Sequence, residues 1–409
     1  MTDRGYNRTL HWLAIATTAA TFPLIWMGGL VTSHGAGMSV PDWPNSYGYN
    51  MFLFPPSQWV GGIFYEHTHR LLGTLVGLFA TLFFLNAWGW GAHPRARRQL
   101  LAIGGGFLAA TVATALVVAT RKLHLPELFG FAAFVLIGSA LCRRPEPRRW
   151  VRWVATALLV GVIFQGVLGG LRVVMVDLDL AIVHACFAQA FFCFAAFAAV
   201  VTSRWWHAAP TPRAAPEAAA GRRLAGLAVL GVVTIYAQLI VGAIQRHYRA
   251  GLAIPDLPLA YGKLLPPTTS DGLAAANRAR AWDYHLDPVT LEQIWWHFGH
   301  RVGAIVVTAV LLGLIGYALA KPALRARFTG GAALLLALLA TQVTLGLYVV
   351  ILRKPADVAS LHVATGAVLL LTTFVTAVRA ARLYRASPAA AVAGGSSTTT
   401  RPALEPAMA

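Results

Sequence analysis

Two stretches of this 409-residue chain place groups capable of chemistry at the start of long apolar runs. One is Phe64-Tyr65-Glu66-His67-Thr68-His69-Arg70; the other, far downstream, is Trp295-Trp296-His297-Phe298-Gly299-His300-Arg301. Carboxylates, imidazoles and guanidiniums are expensive in hydrocarbon, so such clusters inside a membrane segment point to a functional site. Two further histidines, His184 and His362, open later apolar runs. Each follows a helix that ends in the same pattern, Gln165, Leu168 and Gly169 in one case and Gln342, Leu345 and Gly346 in the other.

All four of His69, His184, His300 and His362 are expected one to two turns inside helices that start on the same side of the membrane. They therefore share a depth. Within a four-helix unit, a histidine from the second helix and one from the fourth can face each other across the core, where bundles build cofactor sites. Two neutral imidazoles on opposite sides suit an iron porphyrin. Zinc is less suited, because it prefers four ligands and each half offers two histidines at that depth with no cysteine nearby. A single intramembrane histidine is equally well explained by a hydrogen bond to a neighbouring helix; four in repeat-related pairs argue for ligation.

Glu66 stands three positions before His69 and four before Arg70, on neighbouring helix faces. An ion pair with Arg70 that only orients the helix is the plainer reading. The second stretch has His297 at the corresponding place, so only the first half has a carboxylate beside its histidine pair. That difference suggests reaction chemistry there and electron transfer or structure in the other half. His67, two positions from His69, points about 200° away on a helix and is expected to bond locally or line an outer cavity. Arg70, Arg301 and Arg172 are candidates for pairing porphyrin propionates, with interfacial snorkelling as the alternative.

These residues need helices to place them. With 57% hydrophobic and 12% charged residues and a mean hydropathy of +0.62, the chain reads as an all-α polytopic membrane protein. A helix of about 20 apolar residues crosses a bilayer, and about ten candidates occur, at 10–31, 63–87, 100–119, 128–142, 154–174, 180–202, 224–244, 294–319, 332–351 and 358–378. The formal charge of +18 does not indicate nucleic acid, which needs a basic groove on a folded surface. Lys and Arg instead sit in short clusters between apolar segments, as topology signals do. They place both termini in the cytoplasm, the N-terminus without a cleaved signal peptide, and the loops 32–62 and 245–292 outside. Trp59, Tyr65, Trp295 and Trp296 are read as an interfacial belt. Cys142, Cys186 and Cys193 lie inside apolar segments and suggest neither a disulfide framework nor a cysteine metal site.

The halves repeat. Ala36-Gly37-Met38-Ser39-Val40-Pro41-Asp42-Trp43-Pro44, followed by Tyr47-Gly48, is echoed by Ala250-Gly251-Leu252-Ala253-Ile254-Pro255-Asp256-Leu257-Pro258, followed by Tyr261-Gly262. These loops are expected to cover the outer mouths of two bundles, with Asp42 and Asp256 capping short helices or touching a substrate. The expected organisation is a four-helix repeat over 1–207, a cytoplasmic linker at 208–221, a second four-helix repeat over 222–385 and a disordered tail at 386–409. The helix pair at about 100–142 is an insertion in the first half. An inserted pair restores direction, so the repeat is parallel, about an axis along the membrane normal.

The ordered set Gly28-Gly29-Leu30-Val31-Thr32, Gly37 to Pro44, Glu66-x-x-His69-Arg70, Gln165 to Gly170, His184, His300 and His362 resembles the haem A synthase family of bacterial and mitochondrial inner membranes. The resemblance covers roughly residues 10–380 apart from the insertion, and implies two pseudo-symmetric four-helix bundles in the cell inner membrane. It implies haem b on His300 and His362, and haem O as substrate on His69 and His184. Glu66 would be essential for oxidising a porphyrin methyl to formyl, in the assembly of haem–copper terminal oxidases. Implied partners are haem O, with haem O synthase as a candidate, an unidentified electron acceptor and the lipid bilayer; a homo-oligomer is a candidate state. Some members carry a cysteine pair in the outer loops. This chain resembles the cysteine-free branch, and neither the inserted pair nor the loop 268–292 belongs to the pattern. Two other classes stay open: a bis-histidine membrane cytochrome, and a non-catalytic haem-handling protein.

Overall fold

The computed structural model describes residues 6–89, 145–208 and 213–384, with isolated positions between 94 and 138. In a membrane interior each backbone N–H and C=O must be satisfied within the protein, so long apolar runs become long helices. The helices are α1 (Arg8–Ser33), α2 (Gly61–Trp88), α3 (Arg149–Met175), α4 (Leu178–Thr202), α5 (Ala215–His247), α6 (Ser270–Trp282), α7 (Leu291–Ala320), α8 (Pro322–Ile351) and α9 (Ala356–Leu383). All but α6 are long and apolar enough to cross a membrane. The protein is an all-α integral membrane protein. Eight expected spans coincide with these helices, whereas 100–119 and 128–142 lie almost wholly outside the described residues, as do Cys142 and the tail 386–409.

The helix ends follow local chemistry. Asn7 caps α1 by accepting from the Leu10 N–H at 3.0 Å, and Asp177 caps α4 by accepting from the Leu180 N–H at 2.9 Å. A reciprocal Thr290–Gln293 capping box opens α7. Two expectations need correction. Half of the expected linker 208–221 is helix, because α5 begins at Ala215, with a proline in its first turn where a missing N–H is harmless. Its alanines, read as linker composition, are also the strongest helix formers. The loop 245–292 is not all loop either: it contains α6, with Thr269 as cap.

Helices α1 to α4 pack around Leu10, Val76, Phe83, Leu158 and Phe191. Helices α5, α7, α8 and α9 pack around Leu224, Leu311, Leu324, Leu335 and Leu369. Between these cores α9 lies against α1 and α4, and α4 touches α5. Ile25, Phe192 and Ala367 form a small apolar core along this seam. Polar stitches cross it: Ser33 Oγ and Ser360 Oγ share a hydrogen bond of 2.9 Å, and the Tyr236 hydroxyl donates to the Cys186 carbonyl at 3.2 Å. At one end of the molecule Arg148 donates to the Val201 carbonyl and Arg382 to the Trp206 carbonyl, each at 2.9 Å. These bonds gather the start of α3 with the ends of α4 and α9, so the arginine clusters on those termini share an end.

Gly221 of α5 meets the ring of Tyr384, which is 1% exposed, so closely that a Cβ there would stand 1.9 Å from the ring. Gly221→Ala is therefore expected to lower stability by about 1–3 kcal/mol through overpacking, despite alanine's better helix propensity. A lower midpoint of thermal unfolding in detergent checks this.

Candidate functional site

The N-terminal ends of α2 and α7 carry the two polar stretches, and each is tied to the loop before it. The Val40 N–H donates to Glu66 Oε2 at 2.9 Å, and Arg70 Nη2 donates to Glu66 Oε1 at 2.9 Å. In the second half the Ile254 N–H donates to His297 Nδ1 at 3.1 Å, and Arg301 Nε stands 3.3 Å from His297 Nε2. His297 thus occupies the structural place of Glu66. A neutral imidazole accepts at one nitrogen only, so His297 keeps the loop tether but holds its arginine less strongly than a carboxylate does.

The arginines complete the clamp. Arg70 donates to the carbonyls of Asp42 at 2.6 Å, Asn45 at 2.8 Å and Val40 at 2.6 Å. Arg301 donates to the carbonyls of Leu259 at 3.0 Å and Ile254 at 2.9 Å. Helical side chains lean toward the helix N-terminus, which turns both guanidiniums back onto the loops. Arg70 and Arg301 were expected near propionates; these donors are instead committed to loop carbonyls. Asp42 and Asp256 also differ from expectation. They cap no helix: Asp42 accepts from the N–H groups of Tyr47 and Gly48 at 2.8 Å, and Asp256 from those of Tyr261 at 2.8 Å and Gly262 at 2.9 Å. Those bonds close a tight turn whose tyrosines have φ of 52° and 56°, a left-handed conformation that needs such support. His67 bonds locally, its Nδ1 lying 3.1 Å from Ser46 Oγ, with Trp59 packed edge-on against its ring.

Below the loops the four expected histidines meet in pairs. His69 and His184 have ring centroids 6.3 Å apart at an interplanar angle of 66°; His300 and His362 have centroids 6.4 Å apart at 69°. A ring nitrogen lies about 1.1 Å from its centroid and a metal–imidazole bond is about 2.0–2.1 Å, so two imidazoles on opposite sides of one ion place their centroids about 6.2–6.4 Å apart. Both pairs fit that arrangement. Nδ1 of His184 and Nδ1 of His362 are buried without a hydrogen-bond partner, polar atoms that a ligand would be expected to satisfy.

A glycine of a neighbouring helix faces each ring. A Cβ at Gly28 would lie 3.2 Å from His69, one at Gly169 3.0 Å from His184, one at Gly242 3.0 Å from His300 and one at Gly346 3.1 Å from His362. Any larger side chain would press on the imidazole. One turn before three of these glycines stands a glutamine. Gln165 donates to the His184 carbonyl at 2.8 Å, Gln238 donates to the His300 carbonyl at 2.8 Å with its amide 3.0 Å from Nδ1, and the Gln342 amide stands 3.4 Å from His362 Nε2. The sequence reading noted Gln165, Gly169, Gln342 and Gly346 but missed Gln238 and Gly242. The shared Gln-x-x-x-Gly spacing is the signal that would have found them.

Cations gather where the halves meet. Arg172, at the outer end of α3, donates to the Gly37 carbonyl at 3.0 Å and lies within electrostatic reach of Glu66, His69 and His184. Arg246, at the end of α5, crosses the seam to the Gly29 carbonyl at 2.5 Å and to Ser33 Oγ, and acts on His362. Lys354, between α8 and α9, has its ammonium pKa pushed down by burial and by nearby Arg246 and Arg249. Among the described residues none of Arg172, Arg246 and Lys354 forms an ion pair. Half-buried Arg172 and Arg246, with exposed Lys354 beside Arg246, favour an anionic group at this place. Of these three cations only Arg172 stands out in the linear chain, by its place at a helix end; Arg246 and Lys354 join the site through contacts between helices.

The clamp makes a checkable distinction. Glu66→His, which installs the residue of the second half, is expected to keep loop 34–60 tethered, whereas Glu66→Ala releases it. Limited proteolysis should cut that loop several-fold faster in the alanine variant alone.

Comparison with known proteins identifies relatives of this chain. A family profile described as cytochrome oxidase assembly protein matches residues 124–375, more than half of the chain. The chain is similar to the haem A synthase of Beijerinckia indica subsp. indica, with 26% identity over 88% of this chain and 89% of that protein. It is similar also to the haem A synthase of Shewanella oneidensis, with 31% identity over 38% of this chain and 46% of that protein, and to that of Brucella ovis, with 26% identity over 34% and 40% respectively. With most of its own length matched by the profile and its histidines paired as described, the chain belongs to the cytochrome oxidase assembly protein family.

Proposed function

We propose that this protein is a haem A synthase-type oxidoreductase of the cell inner membrane, converting haem O to haem A by oxidation of a porphyrin methyl to formyl. The observation that carries the reading is the duplicated imidazole pair, at 6.3 and 6.4 Å, in a chain of this family. His300 and His362 would hold a resident haem b, and His69 and His184 the substrate haem O. A bound haem supplies oxidative chemistry at iron that side chains cannot provide. The chain's own residues bind and orient. Arg172 in the first half and Arg246 with Lys354 in the second are the cations we assign to the porphyrin carboxylates. The clamped loops cover the outer mouths and limit water there. The arginine clusters at one end of the molecule support a cytoplasmic side for both termini.

Glu66 is proposed as the group that distinguishes the two pairs. Its carboxylate ties Arg70 and the first loop in place, and it is the feature of that clamp which His297 does not reproduce. A second reading, two equivalent haems for electron transfer, draws on the near-identity of the pairs. Only this reading predicts that Glu66→Gln leaves function unchanged.

Purified protein is expected to show low-spin haem absorption, and co-expression with a haem O source is expected to yield haem A on chromatography of the extracted pigment. Haem O accumulating unchanged beside well-expressed protein would overturn the enzyme reading. His300→Ala or His362→Ala should remove the resident haem. Glu66→His should retain that haem yet lower turnover by about 10²–10⁴-fold if the carboxylate serves in the reaction; normal turnover with a tethered loop would leave Glu66 a positioning residue.

A further inference from the structure

The four histidines are alike in pairing and in their facing glycines, but they are not alike in support. Gln165, Gln238 and Gln342 each stand one turn before a facing glycine and reach His184, His300 and His362. The fourth helix breaks the pattern. Gly28 of α1 faces His69 as Gly242 of α5 faces His300, yet the residue four positions earlier is Leu24, where α5 has Gln238. Leu24 packs into the apolar core of the first half. Among the described residues His69 is accordingly the one member of the four whose ring and carbonyl receive no side-chain amide; at His184 the amide reaches the carbonyl alone.

A side chain that holds a ligand histidine, by its carbonyl or beside its ring, limits how the imidazole can be presented to a metal. We infer that His69 is the exchangeable ligand of the molecule, and that Leu24 sets it apart, so that the first pair loads and releases its porphyrin while the second retains its own. This rests on the function proposed above and deepens it: a substrate has to leave, and a resident cofactor does not. The glutamine at 238 and the leucine at 24 are positioning residues, acting through the histidines they do or do not hold.

The test loads purified full-length protein with haemin and follows haem transfer to excess apomyoglobin by absorbance. Two phases are expected, a fast one from the first pair and a slow one from the second, assigned by their loss in His69→Ala and His300→Ala. Leu24→Gln should slow the fast phase by about tenfold, the lower end of what such supporting contacts contribute to metal affinity. Gln238→Leu should speed the slow phase by a similar factor. Leu24 is partly buried, so Gln238→Leu provides an independent reading if Leu24→Gln is not recovered folded. Haem uptake with both phases unmoved by the recovered variants overturns the inference and leaves the proposed function standing. Failure to take up haem at either pair overturns both. Phases that respond as stated in a protein that makes no haem A uphold the inference and overturn the enzyme reading alone.

Discussion

A guanidinium below the surface of a membrane bundle must find acceptors for its N–H groups, because hydrocarbon offers none. The site depends on how two arginines meet that constraint. Arg70 gathers the carbonyls of Val40, Asp42 and Asn45 onto the outer end of α2, and Arg301 gathers those of Ile254 and Leu259 onto the end of α7. The following turn of each loop is closed by an aspartate on two backbone N–H groups and by a tyrosine hydroxyl returned to the carbonyl of Ser39 or Ala253. An irregular segment over a membrane helix is thereby held with few unpaired backbone groups. Its position is set relative to the histidine one residue before the arginine.

The imidazole pairs lie under those loops and depend on a different economy of space. A glycine beside each ring lets a neighbouring helix approach to ordinary contact distance, and a glutamine one turn away stands beside the rings of His300 and His362 and holds the carbonyls of His184 and His300. In the second half α6 adds a further cover: Arg280, 4% exposed, reaches from it to the Leu252 and Ala253 carbonyls. The first half has no such helix among the described residues. The half assigned a resident cofactor is thus the more heavily supported, and the half assigned a substrate is the less supported.

The seam joins the two. Arg246 belongs to the second half yet donates to Gly29 and Ser33 of the first, and Ser33 in turn bonds Ser360. With no carboxylate partner for Arg172, Arg246 or Lys354 among the described residues, the positive potential at this seam favours carboxylates brought by a ligand.

The spans of the eight described membrane helices, the pairing of His69 with His184 and of His300 with His362, and the local bonding of His67 were legible in the linear chain. Each follows from rules that act along a helix: apolar length, the helical period, and the cost of a polar group in hydrocarbon. The fates of Arg70, Arg301, Asp42 and Asp256 were not legible, because a charged side chain near a helix end can turn toward a ligand, a lipid or its own loop with equal local propriety. Only the folded loop, bringing three carbonyls within reach of one guanidinium, decides among them. The same holds for Glu66 and His297. As residue types they differ, and sequence comparison alone sets them apart as chemistry against structure; the folded chain shows them doing one job, receiving the same loop N–H. Arg246 became part of the site only when the two halves met and its side chain reached α1, since no periodicity within one helix records what a neighbouring helix will bring.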